Sequence, residues 1–162
     1  MNRLFSIRPA QEADLAHILH FIRELATFER EPDAVLATID DLRAALFCAQ
    51  PKVFAVICWH EEQPIGFALY FYNFSTWLGS HGLFLEDLYV SPEYRGRGAG
   101  KQLFEYLGAL AVEQGCGRFE WNVLDWNDSA IAFYESFGAT PQSEWVGYRL
   151  SGAALRALGR ND

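Results

Sequence analysis

The sequence predicts an α/β (α+β) fold, in which helices cover both faces of one mixed sheet. The first half of the chain has runs of β-branched and aromatic residues separated by turn residues, as β-hairpins do. In the second half, strand and helix patterns alternate, which is typical of a βαβ unit with parallel strands. The chain has 162 residues, 51% of them hydrophobic, so a single domain over residues 1–162 can bury a full core.

The first elements are one strand and two helices. Pro9 stops a strand over Leu4–Arg8. Thr38 followed by Asp41 has the pattern of an N-cap with an acidic first turn, and predicts a second helix through Leu42, Ala45 and Leu46. The first helix has apolar residues at the spacing that buries one face, namely Leu15, Ile18, Leu19, Ile22, Leu25 and Ala26.

A hairpin and a third strand occupy the middle of the chain. Strands are predicted over Val53–Trp59 and Ile65–Phe74, with a turn at Pro64 between them. Another strand covers Leu83–Val90. A glycine-rich loop then leads into a helix that Gly115 and Gly117 end, with apolar positions at Leu103, Phe104, Leu107, Leu110 and Ala111.

The last third continues with alternating strands and helices. A strand is predicted over Phe119–Leu124, and Asn127 can cap a helix that ends near Gly138. A final strand is predicted over Trp145–Leu150, and Ser151 can cap a short helix after it. Six strands therefore enter the predicted sheet.

The charge balance restricts the partners. The formal net charge is −8, which argues against a nucleic-acid binder and against a protein that binds anionic membranes. The longest apolar runs are far too short to span a bilayer, and the first residues lack the apolar run of a secretory signal. We expect a cytoplasmic protein that leaves room for a cationic partner.

The cysteines and histidines predict no metal site. Cys48, Cys58 and Cys116 are odd in number and have no CxxC spacing, so they are expected to be small buried residues in a reducing compartment. The four histidines form no pair with ligand spacing.

The loop Arg95–Gly100 carries the clearest chemical signal. It follows a strand and opens a helix, and its glycines let backbone N–H groups approach a ligand closely. The helix N-terminus and the cations Arg95, Arg97 and Lys101 favour a phosphate. The alternative is a tight turn with solvated arginines.

Two common phosphate motifs do not fit this loop. A P-loop would have glycine in place of Arg95 and a hydroxyl residue in place of Gln102. A dinucleotide fingerprint would have its third glycine at Lys101 or Leu103. A nucleoside triphosphate or a nicotinamide cofactor is therefore disfavoured.

The R-x-x-G-x-G pattern at Arg95, Gly98 and Gly100 resembles the GNAT superfamily of N-acetyltransferases. The resemblance extends to the block Asn127–Tyr134 followed by Phe137-Gly138-Ala139, and to the opening Ile7-Arg8-Pro9-Ala10. Within the superfamily, the chain is most similar to the diamine (spermidine/spermine) and thialysine acetyltransferases. The segments that carry this likeness are Leu85–Val90, Trp126-Asn127 and the region from Glu24 to Glu29.

The resemblance implies a GNAT-like, mostly antiparallel sheet of six to seven strands, acetyl-CoA as co-substrate, no metal and a homodimer. By position, Tyr134 would protonate the departing thiolate, and Glu86 would help deprotonate the amine through water. A small-molecule amine would lie against Phe28, Glu29, Glu86, Glu120, Trp121 and Asn122. The acetyl-CoA contacts implied are Leu88, Tyr89, Val90, Arg95, Gly96, Arg97, Gly98, Ala99, Gly100, Lys101, Asn127, Ser129 and Tyr134.

The residues alone support these roles in part. Glu86 and Asp87 interrupt an apolar strand, where neighbouring side chains point to opposite faces and each carboxylate needs a partner or a wet cleft. They could instead pair with backbone or an arginine at a strand end. The spacing of Tyr134 also suits a core aromatic residue, and the resemblance alone favours an acid.

The acceptor stays open at this stage. Phe28 stands where the diamine enzymes often have tyrosine, and Ser75 and Thr76 precede Trp77 where a carboxylate is expected. A small polyamine or diamine is the first interpretation. The alternatives are a thialysine-like amino acid, with Arg30 to meet its carboxylate, a protein amine, or a non-catalytic acetyl-CoA sensor.

Overall fold

One five-stranded sheet organises the computed structural model, which describes residues 4–159. The first four strands are antiparallel neighbours, and the fifth runs parallel to the fourth. The mixed, mostly antiparallel class is therefore confirmed, as is the parallel pair. The strands are Ser6–Pro9 (β1), Val53–His60 (β2), Gln63–Ser75 (β3), Ser80–Val90 (β4) and Phe119–Trp121 (β5).

The five predicted helices are present, and two of their caps are those read from the sequence. Thr38 Oγ1 accepts a hydrogen bond from the Asp41 N–H at 3.2 Å, while the Asp41 carboxylate accepts from the Thr38 N–H at 2.8 Å. Ser151 precedes the last helix without a side-chain cap bond. The helices are Leu15–Phe28 (α1), Ile39–Leu46 (α2), Ala99–Glu113 (α3), Asp128–Glu135 (α4) and Gly152–Leu158 (α5).

Both faces of the sheet are covered by helices. On one face, α1 and α2 pack on the strands, and Phe21 stacks on Phe67 with ring centroids 5.7 Å apart. Helix α3 packs against β4, β3 and β1, and its Leu103 is fully buried. Because side chains alternate along a strand, Val56 and Cys58 lie on the face opposite the α1 and α2 core.

The strand predictions need three corrections, of which the first is that β1 includes Pro9, which was expected to stop it. The sheet has five strands in the described chain, where six to seven were expected, because residues 145–150 are exposed and irregular. A strand exists only where a neighbour completes its ladder, and this segment has none among the described strands. Strand β5 also ends at Trp121 instead of Leu124.

The cysteine expectation holds for one residue. Cys58 is buried in β2, and burial raises the pKa of its thiol to about 11, as expected of a core residue. Cys48 is exposed and Cys116 is half-buried, so the prediction of burial is wrong for Cys48. The apolar residues next to Cys48 in the sequence suggested burial, but the Cys48 side chain is exposed.

The described chain forms two compact units, one ending at Leu124 and the other beginning at Asp125. The first contains the whole sheet with α1, α2 and α3, and the second contains α4 and α5. Of the helices in residues 4–159, none is both long and apolar enough to cross a membrane. The single domain over residues 1–162 stays a prediction.

Candidate active site

Strands β4 and β5, the last two of the sheet, are paired along only part of β4. Their parallel ladder joins Leu83–Leu85 to Phe119–Trp121, whereas β4 itself runs on to Val90. From Glu86 to Val90, no described strand pairs with that edge of β4. Backbone groups of Leu88, Tyr89 and Val90 along such an edge can hydrogen-bond an extended ligand that carries amide groups.

Glu86 is the extra residue of a β-bulge at the start of this free edge. Tyr70 of β3 pairs with Leu85, but the next β3 residue, Leu69, pairs with Asp87. A bulge interrupts the strict alternation of side chains and is common beside active sites. Asp87 thereby shares the α1 face with its partner Leu69, and the exposed Glu86 stands next to it.

Three carboxylates lie close enough at the bulge to interact electrostatically. Burial, and then the negative charges of Glu86 and Glu29, raise the pKa of Asp87 to about 6. Burial and Glu86 also raise the pKa of Glu29, which follows the last residue of α1. No described lysine, arginine or histidine forms an ion pair with any of the three. The cluster has unbalanced negative charge and favours a cationic ligand.

The end of helix α1 forms one wall of this region. Phe28 is 41% exposed, and the Arg95 guanidinium lies over its ring, with Cζ 5.2 Å from the centroid. The same guanidinium is 5.3 Å from the Tyr89 ring, and its Nε donates to the Val90 carbonyl at 2.8 Å. Tyr89 in turn donates its hydroxyl to Glu24 Oε2 at 3.3 Å.

The loop after β4 has the backbone of an anion cradle. Gly96 and Gly98 have φ values of 73° and 90°, in the left-handed region that favours glycine. A Cβ at either position would find no atom within 4 Å, so the loop is open on its outer side. The first helical hydrogen bond of α3 runs from the Gln102 N–H to the Gly98 carbonyl, which leaves the preceding N–H groups for a ligand.

The cations of this loop differ in their surroundings. Arg97 is exposed and lies over the Tyr94 ring at 5.6 Å. Lys101 is also exposed and has only a long pair to Glu105, 3.8 Å between Nζ and Oε1. Arg95, described above, instead uses its guanidinium on the protein's own rings and carbonyl.

The β5 residues predicted to line the amine site have partners of their own. Glu120 Oε1 accepts from Arg118 Nε at 2.9 Å and from the Asn73 amide at 3.3 Å. The Trp121 ring packs 4.9 Å from that of Phe104, and Asn122 follows the strand as an exposed residue. Phe28, Glu29 and Glu86 therefore form the charged cluster and its wall, whereas the charge of Glu120 is already balanced.

Three predicted cofactor residues belong to the second unit. Asn127 Oδ1 accepts from the Ala130 N–H at 3.3 Å and so caps α4, and the Ser129 hydroxyl donates to the same oxygen at 3.3 Å. Tyr134 is half-buried, with its ring 5.4 Å from that of Phe133. The roles of these residues toward acetyl-CoA stay predictions.

Asp87 is the site residue that sequence reasoning left without a role. Its signal was a second carboxylate in an apolar strand, but strict alternation would have directed it away from Glu86. The bulge, which no sequence pattern revealed, brings the two together. Within residues 4–159, no group of histidine, cysteine or acidic side chains has the geometry of a metal site.

A free strand edge beside a glycine-rich loop at a helix N-terminus suits a long ligand that carries amide and phosphate groups. Residues 17–139 match the family model described as the Acetyltransferase (GNAT) family. The chain belongs to this family and is an N-acetyltransferase; members of the family use acetyl-CoA.

Several known proteins are similar along most of the chain. A thialysine N-epsilon-acetyltransferase of Sus scrofa is 37% identical over 94% of this chain and 95% of its own length. An L-ornithine N5-acetyltransferase of Arabidopsis thaliana is 30% identical over 97% of this chain and 89% of its own length. Among solved structures, an integron cassette protein of V. cholerae superposes with a TM-score of 0.81 at 28% identity, covering 99% of this chain and 100% of its own.

Proposed function

We propose that the acceptor is a small compound with two amino groups, one of which is acetylated while the other is held as an ammonium. The cluster of Glu29, Glu86 and Asp87 carries this proposal. Burial, and then mutual repulsion, raise the pKa of Asp87 to about 6 and raise that of Glu29, so a bound cation would stabilise both carboxylates. An ammonium that these carboxylates stabilise has a raised pKa and is harder to deprotonate, so the amine that reacts has to be a second one.

The acetyl donor is acetyl-CoA, and the residues present fit it. We infer that the free edge at Leu88, Tyr89 and Val90 binds the amide-containing arm. The pyrophosphate lies on the loop from Gly96 to Lys101, where N–H groups and two exposed cations are available. Asn127 and Ser129 are expected to line the same ligand. Acetyl-CoA supplies the thioester whose acetyl group is transferred.

The transfer is direct, within a ternary complex. An alkylamine with a pKa of about 10.4 is neutral in only about one molecule in 2,500 at pH 7, so a base is useful. Glu86 is that base, acting through water on the reacting nitrogen, while Glu29 and Asp87 hold the distal ammonium. Tyr134 donates a proton to the departing thiolate. The base, Glu86, is thus distinct from the two carboxylates that keep the distal amine protonated.

Two acceptor classes satisfy this requirement. Relatives named for thialysine and L-ornithine support an amino acid with a terminal amine. The unbalanced carboxylates support a diamine or polyamine, because a substrate carboxylate would be repelled there. A homodimer in the cytoplasm is part of the same proposal, and sedimentation of the purified protein tests its assembly.

Matched acceptors test the second ammonium. We expect putrescine to exceed butylamine in kcat/KM by about ten- to a hundredfold, because charge-assisted hydrogen bonds contribute about 1.5–3 kcal/mol. Release of CoA, followed with a thiol reagent, measures the rate. Equal values for the two would contradict the proposed role of the cluster.

The same assay separates the two classes. Thialysine and ornithine are compared with their decarboxylated analogues, which differ only in the α-carboxylate. A preference for the amino acids assigns a thialysine-type acceptor, and the reverse preference assigns a diamine. CoA binding without turnover on any amine would instead indicate a sensor.

The cofactor loop provides a separate prediction. Gly98→Ala is expected to weaken CoA binding about tenfold, because a side chain is strained at its φ of 90° and the loop would relax away from the backbone conformation that presents its N–H groups. Isothermal titration with CoA measures the change. Gly108→Ala on the same helix is the matched control, with open space for its Cβ, and should leave the Kd unchanged. Equal Kd values for the two variants would exclude this loop from the site.

A further inference from the structure

The side chain of Arg95 joins three parts of the first unit. Its Nε donates to the carbonyl of Val90 at the end of β4, at 2.8 Å. Its guanidinium lies over the Tyr89 ring at 5.3 Å and over the Phe28 ring at 5.2 Å, within the range of cation–π attraction. The first residue of the cofactor loop is thus attached both to the sheet and to the last residue of α1.

A second contact fixes the same turn of α1. Glu24 lies one helical turn before Phe28, so both side chains lie on one face of the helix. Glu24 accepts the Tyr89 hydroxyl at 3.3 Å. Tyr89 and Arg95 therefore both contact the last turn of α1.

The position of Glu29 depends on that end. Glu29 directly follows Phe28, and its carboxylate interacts electrostatically with Glu86. A shift of Phe28 would move Glu29 relative to the other two carboxylates. Arg95, the first residue of the loop, is in this way connected through Phe28 to Glu29 on the acceptor side of the site.

The Arg95 side chain is already engaged by the protein's own groups. Its guanidinium faces two rings, and its Nε is already used on a carbonyl. Arg97 and Lys101 are the other cations of this segment, and all three are exposed. Arg97 has one ring contact, to Tyr94 at 5.6 Å, and Lys101 has one long pair to Glu105, so each has fewer contacts than Arg95 to lose on binding a pyrophosphate.

We propose that Arg95 is a positioning residue that holds Phe28, and through it Glu29, in place for the acceptor, and that it is not a pyrophosphate ligand. This inference rests on the proposed function of the site. Loss of Arg95 then raises the acceptor KM, while the affinity for CoA and its salt dependence are retained.

Substitution of Arg95 by glutamine and by lysine tests the inference. Glutamine removes the charge, whereas lysine keeps it without the planar guanidinium. We expect both to raise the acceptor KM roughly tenfold. Glutamine loses two cation–π contacts and one hydrogen bond, and the lysine ammonium lacks the planar group that serves both rings and the Val90 carbonyl at once. The Kd of CoA is expected to stay within about twofold, with an unchanged slope of log Kd against log salt concentration.

Phe28→Leu gives an independent measurement, because it removes the ring and leaves Arg95 intact. It should raise the acceptor KM by a similar factor, and the double variant Arg95→Gln/Phe28→Leu should be no worse than either single one. Arg23→Gln, an exposed arginine on the same helix, is the matched control and should change neither constant.

Opposite results would overturn the inference. A phosphate ligand predicts that Arg95→Gln weakens CoA binding and lowers the salt slope, while Arg95→Lys restores both. Additive effects of the Arg95 and Phe28 substitutions would also contradict it. If Arg95→Gln fails to fold, the lysine variant and Phe28→Leu still give the decision. Failure of the unmodified protein to bind CoA or acetylate any amine would contradict the proposed function itself.

Discussion

Replacing Tyr134 with phenylalanine is expected to lower kcat by about 10²- to 10⁴-fold, the usual loss when a general acid is removed. A free thiol titrates near about 8.5 and tyrosine near about 10, so an unperturbed tyrosine can protonate the departing thiolate with only a small energetic penalty. The aromatic ring is kept, and with it the packing on Phe133, whose ring centroid is 5.4 Å away. The KM values and the melting temperature should therefore change little.

Release of CoA under saturating substrates measures this effect. Tyr148→Phe is the matched control, because it makes the same change at a tyrosine that is 96% exposed. Unchanged kcat for Tyr134→Phe, in conditions where chemistry is shown to be rate-limiting, would exclude Tyr134 as the acid. Equal losses for the two tyrosines would point to a general effect of hydroxyl removal.

Local signals in the sequence located most of the elements. Apolar spacing predicted α1, and the Thr38–Asp41 pair predicted the capping box of α2 with both of its hydrogen bonds. Asn127 likewise caps α4. Such features depend on residues within one turn of each other, so a single sequence contains all the information that they need.

The errors concern partners that are distant in the chain. The segment Trp145–Leu150 has the composition of a strand but no neighbouring strand within the described chain. The bulge at Glu86 depends on how β3 and β4 are paired, which neither strand encodes alone. Both errors arise because pairing between strands depends on two segments, whereas the sequence pattern was assessed one segment at a time.

The candidate site was predicted in the same uneven way. Resemblance suggested Phe28, Glu29 and Glu86, and the structure gathers the two glutamates with Asp87 and adds Phe28 beside them. It did not suggest that Arg118 would balance the charge of Glu120, at 2.9 Å. Charge balance depends on the distances between side chains, and these become known only when the strands are in register.

Glu86→Gln is expected to lower kcat/KM for the amine by about 10²- to 10³-fold at pH 7, approaching the fraction of amine that is neutral in solution. Without a base, the reaction needs an amine that has already lost its proton. The deficit should therefore shrink as the pH rises toward about 10, the pKa of an alkylamine. Rates across pH 5–10, with acetyl-CoA saturating, measure the profile. An unaltered profile would exclude Glu86 as the base.

Asp87→Asn distinguishes the role of the base, Glu86, from that of the carboxylates that hold the second ammonium. Burial and the neighbouring carboxylates raise the pKa of Asp87 to about 6, so this group is neutral below that pH and negative above it. In the unmodified protein, kcat/KM for a diamino acceptor should fall as the pH drops through about 6, because the cluster then loses one negative charge. The asparagine variant is neutral at position 87 at every pH, so its kcat/KM should lack this acid limb and stay low, with KM affected more than kcat.

Glu86→Gln instead removes a charge beside Asp87, which lowers the pKa of Asp87 and moves the acid limb to lower pH. Glu86→Gln should therefore change the pH profile at both ends. The acid limb moves to lower pH, and the rate depends more steeply on pH on the alkaline side, as expected if Glu86 is the base and Asp87 holds the second ammonium. If both substitutions produced the same uniform loss at all pH values, the carboxylates would have a purely structural role.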